Sequence, residues 1–175
     1  VSADPARFDR TLALPGGELV RVRPIRPDDA PRLSELYDRL SQDSRYQRFF
    51  SAMRRLPPDW ARFLAAVDHV RRFALVAEDP AAPERRLIAV ARYEPSPDGI
   101  PEIAEVVEDR WQGKGLGARL LVELFHAAAA NGIARVRAFV LGDNRRMLRL
   151  LERHADVLER TTERGVVELL LAPRA

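Results

Sequence analysis

The stretch E-I-A-E-V-V-E-D-R-W-Q-G-K-G-L-G-A, residues 102–118, decides how the chain is read. Residues 103–107 form an apolar run that predicts a strand, and Gly113, Gly115 and Gly117 follow at close spacing. Beyond them, Leu116, Leu120, Leu121, Leu124, Phe125 and Ala128 recur at helical period, so a long amphipathic helix is expected. A strand that runs through glycines into a helix start aims unpaired amides and the positive end of the helix dipole at one point. That point suits a phosphate.

Three motifs compete for the loop. A phosphate-loop nucleotidase needs Ser or Thr after Gly-Lys to hold magnesium, whereas Lys114 is followed by Gly115. The dinucleotide pattern G-x-G-x-x-A is met by Gly113, Gly115 and Ala118. However, five residues separate the strand from the glycines, and no acidic residue closes the next expected strand, residues 136–140. The third pattern, Q-x-x-G-x-G, is filled by Gln112, Gly115 and Gly117 between a strand and a long helix. It resembles the acyl-CoA pyrophosphate loop of the GNAT N-acetyltransferases.

The likeness extends through R-P-I-R-P-D-D-A at 23–30, L-S-Q-D-S-R-Y-Q-R-F-F at 40–50, F-A-L-V-A-E at 73–78 and D-N-R-R-M-L-R-L at 143–150. Together these resemble the GNAT domain of bacterial protein lysine acetyltransferases. The resemblance implies a single α/β domain over residues 18–175, after a lead-in at 1–17. Its central sheet would be mixed and mostly antiparallel, with about six or seven strands flanked by helices. It also implies acetyl-CoA as co-substrate, no metal, and a primary amine as acceptor, expected to be a protein lysine. A small amine, or a coenzyme-A-binding sensor that does not catalyse, are the other readings.

Site residues follow from the same resemblance. Aligned back from Gln112, the family's general base falls on Glu102, with Glu105 as the alternative; alternation along a strand turns the two to opposite faces. Main-chain groups at Val106 and Val107 would pair with the pantetheine arm and hold the thioester carbonyl. The amides of Gly113, Lys114, Gly115, Leu116, Gly117 and Ala118 would receive the diphosphate. Lys114 either adds charge there or is a solvated loop lysine. Asn144 matches the family's asparagine on the cofactor arm and is equally placed to cap the next helix. The family's tyrosine after that asparagine is Leu151 here, and its Gly-Phe is Ala155-Asp156, which motivates the non-catalytic reading.

Composition narrows the alternatives. With 175 residues, 46% of them hydrophobic, the chain suits one globular domain. Basic residues number 29 against 26 acidic, interleaved along the chain, so no nucleic-acid footprint is expected. No cysteine is present, which excludes disulfides and thiol nucleophiles. The three histidines lack ligand spacing. No apolar run approaches a membrane span, and a cytoplasmic monomer or homodimer is expected. Residues 1–10 read as a loose lead-in, residues 12–14 and 19–23 as a hairpin. Around 41–50, Arg45, Tyr46, Arg48, Phe49 and Phe50 are read as either helix packing or an acceptor-groove border.

Overall fold

The computed structural model describes residues 4–51 and 53–174. Eight strands form one sheet: β1 (Arg10–Ala13), β2 (Leu19–Pro24), β3 (Phe73–Glu78), β4 (Leu87–Glu94), β5 (Glu102–Val107), β6 (Val136–Leu141), β7 (Ala155–Glu163) and β8 (Val166–Pro173). Their order is β1-β2-β3-β4-β5-β6-β8-β7, and every neighbouring pair is antiparallel except β5 with β6. Only β5 and β6 are joined by a long helix, the crossover that parallel strands require. The five helices are α1 (Ala30–Arg39), α2 (Gln42–Phe49), α3 (Pro58–Ala65), α4 (Leu116–Ala130) and α5 (Arg145–His154).

The sheet separates two apolar layers, and strand alternation assigns side chains to them. On β3, Phe73, Leu75 and Ala77 join the layer under α4 and α5, while Ala74 and Val76 join the one under α1 and α3. All six residues of β3 are buried, as expected of a strand covered on both faces. The stripe predicted for α4 is buried throughout, none of Leu116, Leu120, Leu121, Leu124, Phe125 and Ala128 being more than 2% exposed. Truncating such a leucine to alanine costs about 2–5 kcal/mol through lost transfer energy and the cavity left behind. Gly132, at φ +77°, ends α4: Ile133 N–H donates to Ala128 O (2.9 Å) and Gly132 N–H to Ala129 O (3.0 Å), a left-handed cap that turns the chain toward β6.

Two expectations need correction. The sheet has eight strands rather than six or seven, because the four-residue β1 pairs with β2 along its whole length and extends the sheet. Residues 1–3 of the expected loose lead-in lie outside the described residues. Within the rest, a single 3-10 turn, Pro5–Phe8, capped by Asp4, drives Phe8 into the core edge-on to Phe73 at 5.5 Å. At the same open end of the β1–β2 hairpin Arg23, only 1% exposed, grips Asp29 through two 2.8 Å hydrogen bonds and Glu78 through one of 2.7 Å.

Candidate active site

Strands β5 and β6 pair only at Glu102 with Arg137 and Ile103 with Ala138, then separate. Beyond Ile103, β5 keeps β4 on one side, Ala104 opposite Arg92 through Val107 opposite Ala89, but has no strand on the other. A cleft of about 370 Å³ opens there, bounded by residues 104–107 of β5, residues 138–140 of β6 and the starts of α4 and α5. A strand edge with free polar groups facing a cleft can pair with an extended ligand as another strand would.

The glycine loop closes one end of this cleft. Gly115 is left-handed at φ +86° and immediately precedes α4, whose first helical bond runs from Arg119 N–H to Gly115 O at 3.2 Å. The amides of Leu116, Gly117 and Ala118 therefore stand at the helix head without intrahelical acceptors. Gly113, Gly115, Gly117 and Ala118 line the cleft, as does the side chain of Asn144, which also caps α5 by accepting from Met147 N–H at 3.2 Å. Leu116 contributes only its amide, since its side chain is in the core. Lys114 turns the other way: its ammonium is bound by Glu18 at 2.7 Å and lies 5.4 Å from the Trp111 ring centre.

Gln112 braces the loop from within. Its amide nitrogen donates to Val107 O at 3.0 Å and Ser44 Oγ at 3.1 Å, while its oxygen accepts from Arg146 at 3.1 Å. Ser44 Oγ in turn donates to Asp109 at 2.9 Å, and Asp109 accepts from the Ser41 amide and hydroxyl at 2.9 and 2.6 Å. These bonds hold the start of α2 against the turn between β5 and α4. They pull the Asp109 carboxyl below its ordinary range despite the opposing effect of burial.

The two glutamates of β5 face opposite sides. Glu102, at the closed end of the splay, is on the α2 side and senses the charges of Arg48, Arg137 and Glu94; burial of its surroundings raises its carboxyl pKa, with the two arginines opposing. Its neighbour on β4, Glu94, is held by Arg72 (2.6 Å) and Arg92 (2.7 Å). Glu105 lines the cleft beneath α4, its Oε2 buried without a hydrogen-bond partner, and burial pushes its pKa well above the usual range.

Four arginines at the cleft were not singled out as coenzyme ligands from sequence. Arg48 of α2 and Arg146, Arg149 and Arg153 of α5 all line it. The signal was present in the spacing of three and four along α5, which sets the last three on one helical face. Among the described residues, no group of three or more His, Cys, Asp or Glu is placed to hold a metal.

Comparison with known proteins gives the family. Residues 20–154 match the model of the acetyltransferase (GNAT) domain. The chain belongs to the GNAT acetyltransferase family. As a GNAT enzyme it is an acyl-CoA-dependent N-acetyltransferase, and acetyl-CoA is the co-substrate such domains use. The solved GNAT domain of PAT from S. lividans superposes with a TM-score of 0.85 at 32% identity, over 97% of this chain and 99% of that one. An acetyltransferase of Pseudomonas aeruginosa is 30% identical over 136 residues, 77% of this chain and 73% of that protein. Acetyltransferase Pat of Mycolicibacterium smegmatis is 32% identical over 139 residues, covering 78% of this chain but 41% of its own length. No helix among the described residues of this GNAT chain is long and apolar enough to cross a membrane.

Proposed function

We propose that this GNAT chain transfers the acetyl group of acetyl-CoA directly to the ε-amine of a protein lysine, with Glu102 as general base. A lysine ammonium, with a pKa of about 10.4, must lose its proton before it can attack. Glu102 takes the ammonium proton directly or through water, the neutral nitrogen adds to the thioester carbonyl, the C–S bond breaks, coenzyme A leaves as the thiolate, and the second nitrogen proton of the adduct passes to solvent. No cysteine is available for an acyl-enzyme, so both substrates are bound together.

The observation that carries this reading is the separation of β5 from β6 immediately after Glu102 and Ile103. Glu102, exposed in the last paired stretch before the opening, is next to the cleft, and Gly117 and Ala118 of the α4 head line it. In this arrangement the pantetheine arm lies along β5. With the Val107 carbonyl already held by Gln112, the arm is left the groups around Val106. The diphosphate rests on the amides of the loop and the α4 head, with Arg146 beside Gly113 and Asn144 on the arm. Leu151, 2% exposed, supplies no proton to the leaving thiolate.

Thiol release from acetyl-CoA, measured against a panel of lysine peptides, folded proteins and small amines, tests the proposal. Acceptor-dependent release with lysine-bearing polypeptides, and an acetyl mass increment on the lysine, are expected. Release with small amines alone, or none with any acceptor, rejects it.

A further inference from the structure

Arg48 is the arginine that α2 presents to the cleft. It sits in the last turn of α2, half-buried, and borders both the coenzyme cleft and a smaller hollow under α1 and α3. Its guanidinium stacks on the ring of Phe49, 4.6 Å from the centre, and makes no hydrogen bond or ion pair with any described residue. The arginines around it are engaged. Arg45 donates to the carbonyls of Tyr37, Asp38 and Arg54, Arg39 holds Glu108, and Arg72 and Arg92 share Glu94.

The electrostatics of this face pose a problem for a lysine acceptor. Residues 42–72 carry seven arginines against three aspartates, more positive charge than the net +3 of the whole chain. Burial, with the neighbouring Arg92 cation, draws the Arg48 pKa down to about 10 against the opposing pull of the nearby Glu102 and Glu94 carboxylates. An incoming ammonium meets these arginines as well as the Glu102 carboxylate, and negative charge carried by the acceptor offsets the repulsion. A guanidinium fixed on an aromatic ring with its fork open is matched by a carboxylate.

We propose that Arg48 receives an acceptor carboxylate, so that the preferred substrate is a protein lysine with an aspartate or glutamate side chain beside it. The inference rests on the lysine-acceptor reading above, and its test separates the two. Matched lysine peptides carrying Glu, Ala or Arg within a few residues of the lysine are compared by kcat/KM. The native enzyme should favour the Glu peptide over the Arg peptide by roughly tenfold to a hundredfold, the range of one charge-assisted hydrogen bond. Arg48→Gln should erase most of that ratio and Arg48→Glu should invert it, with thermal melts confirming that each variant is folded. Should Arg48→Glu not fold, the ratio in Arg48→Gln decides. Equal use of the three peptides, or an acidic preference that survives in the variants, overturns the role of Arg48 while leaving lysine acetylation standing. Acetylation of small amines with none of any peptide overturns the lysine reading, and this inference with it.

Discussion

The Glu105 carboxyl occupies the space beside Gly117: its Oε1 lies 2.5 Å from the point that a Cβ on Gly117 would fill. The glycine thus serves a close approach between strand and helix, since Gly117 has no left-handed backbone to justify it. Gly117→Ala should weaken coenzyme A binding by displacing either the α4 head or the carboxyl. In a Glu105→Ala background the added methyl meets little, so the same change should cost much less. A coupling energy of about 0.5–3 kcal/mol is expected for residues in such contact. Strictly additive melting and binding data would show that they do not share this space.

The same carboxyl makes stability depend on pH. Its folded pKa is raised above the ordinary 4.5, so the folded state holds this proton more tightly than the unfolded chain does. The contribution is fully present below the ordinary value and is lost as pH rises toward the folded pKa. Glu105→Gln should remove that loss, and its advantage over the native chain in urea midpoint should grow from mildly acidic to mildly alkaline pH. An advantage that stays constant across the series would disprove the linkage.

Glu102→Gln keeps the shape and removes the base. Turnover should fall about 10²–10⁴-fold, the usual contribution of a positioned proton acceptor, while coenzyme affinity measured by calorimetry is nearly unchanged. Because the Glu102 pKa is raised, the native rate should climb with pH through a value above the ordinary 4.5, where the carboxyl ionises. That acid limb should be absent from the residual rate of Glu102→Gln. Unchanged turnover would transfer the role elsewhere.

Arg146 donates to Gln112 Oε1 at 3.1 Å and reaches within 3.1 Å of where a Cβ on Gly113 would stand. Arg146→Gln removes a cation beside the phosphate loop and loosens the residue that braces it. Coenzyme A should bind roughly tenfold or more weakly, as for loss of a charged hydrogen bond, and its affinity should depend less steeply on salt. An unaltered dissociation constant would remove Arg146 from the binding site.

Far from the cleft, Arg23→Met would take the buried cation from Asp29 and Glu78 and leave them only the more exposed Arg32, which already pairs with both. Breaking a buried pair from one side costs about 3–5 kcal/mol, so a large drop in denaturation midpoint is expected. A loss below about 1 kcal/mol would mean that water or Arg32 takes over the pairing.

Much of this arrangement could be read from residue order. The alternation of β5 foretold that Glu102 and Glu105 face apart, because a strand's period is fixed by backbone geometry. The stripe of α4 foretold its buried face, and the glycines foretold a helix head with free amides. The onset of the splay after Ile103 could not be read, since it depends on how α4 and the β6–β8 pairing set β6 relative to β5. Nor could the link from Ser44 to Gln112 and Asp109, which joins residues some 65 positions apart through one hydroxyl. Arg146 and Arg149 lie off the apolar stripe of α5, and only the packed fold turns them to the cleft. For Lys114, read either as added charge at the phosphate or as a solvated loop lysine, the pairing with Glu18 was not legible because Glu18 is 96 residues away.

That pairing bears on the enzyme's own chemical fate. An N-acetyltransferase is exposed to its own acyl donor, yet these 175 residues contain one lysine. Its nitrogen is tethered by Glu18 at 2.7 Å. Arginine everywhere else gives the surface its cations in a form that an acyl donor does not consume, so the protein can work in a pool of acetyl-CoA with little self-inflicted modification.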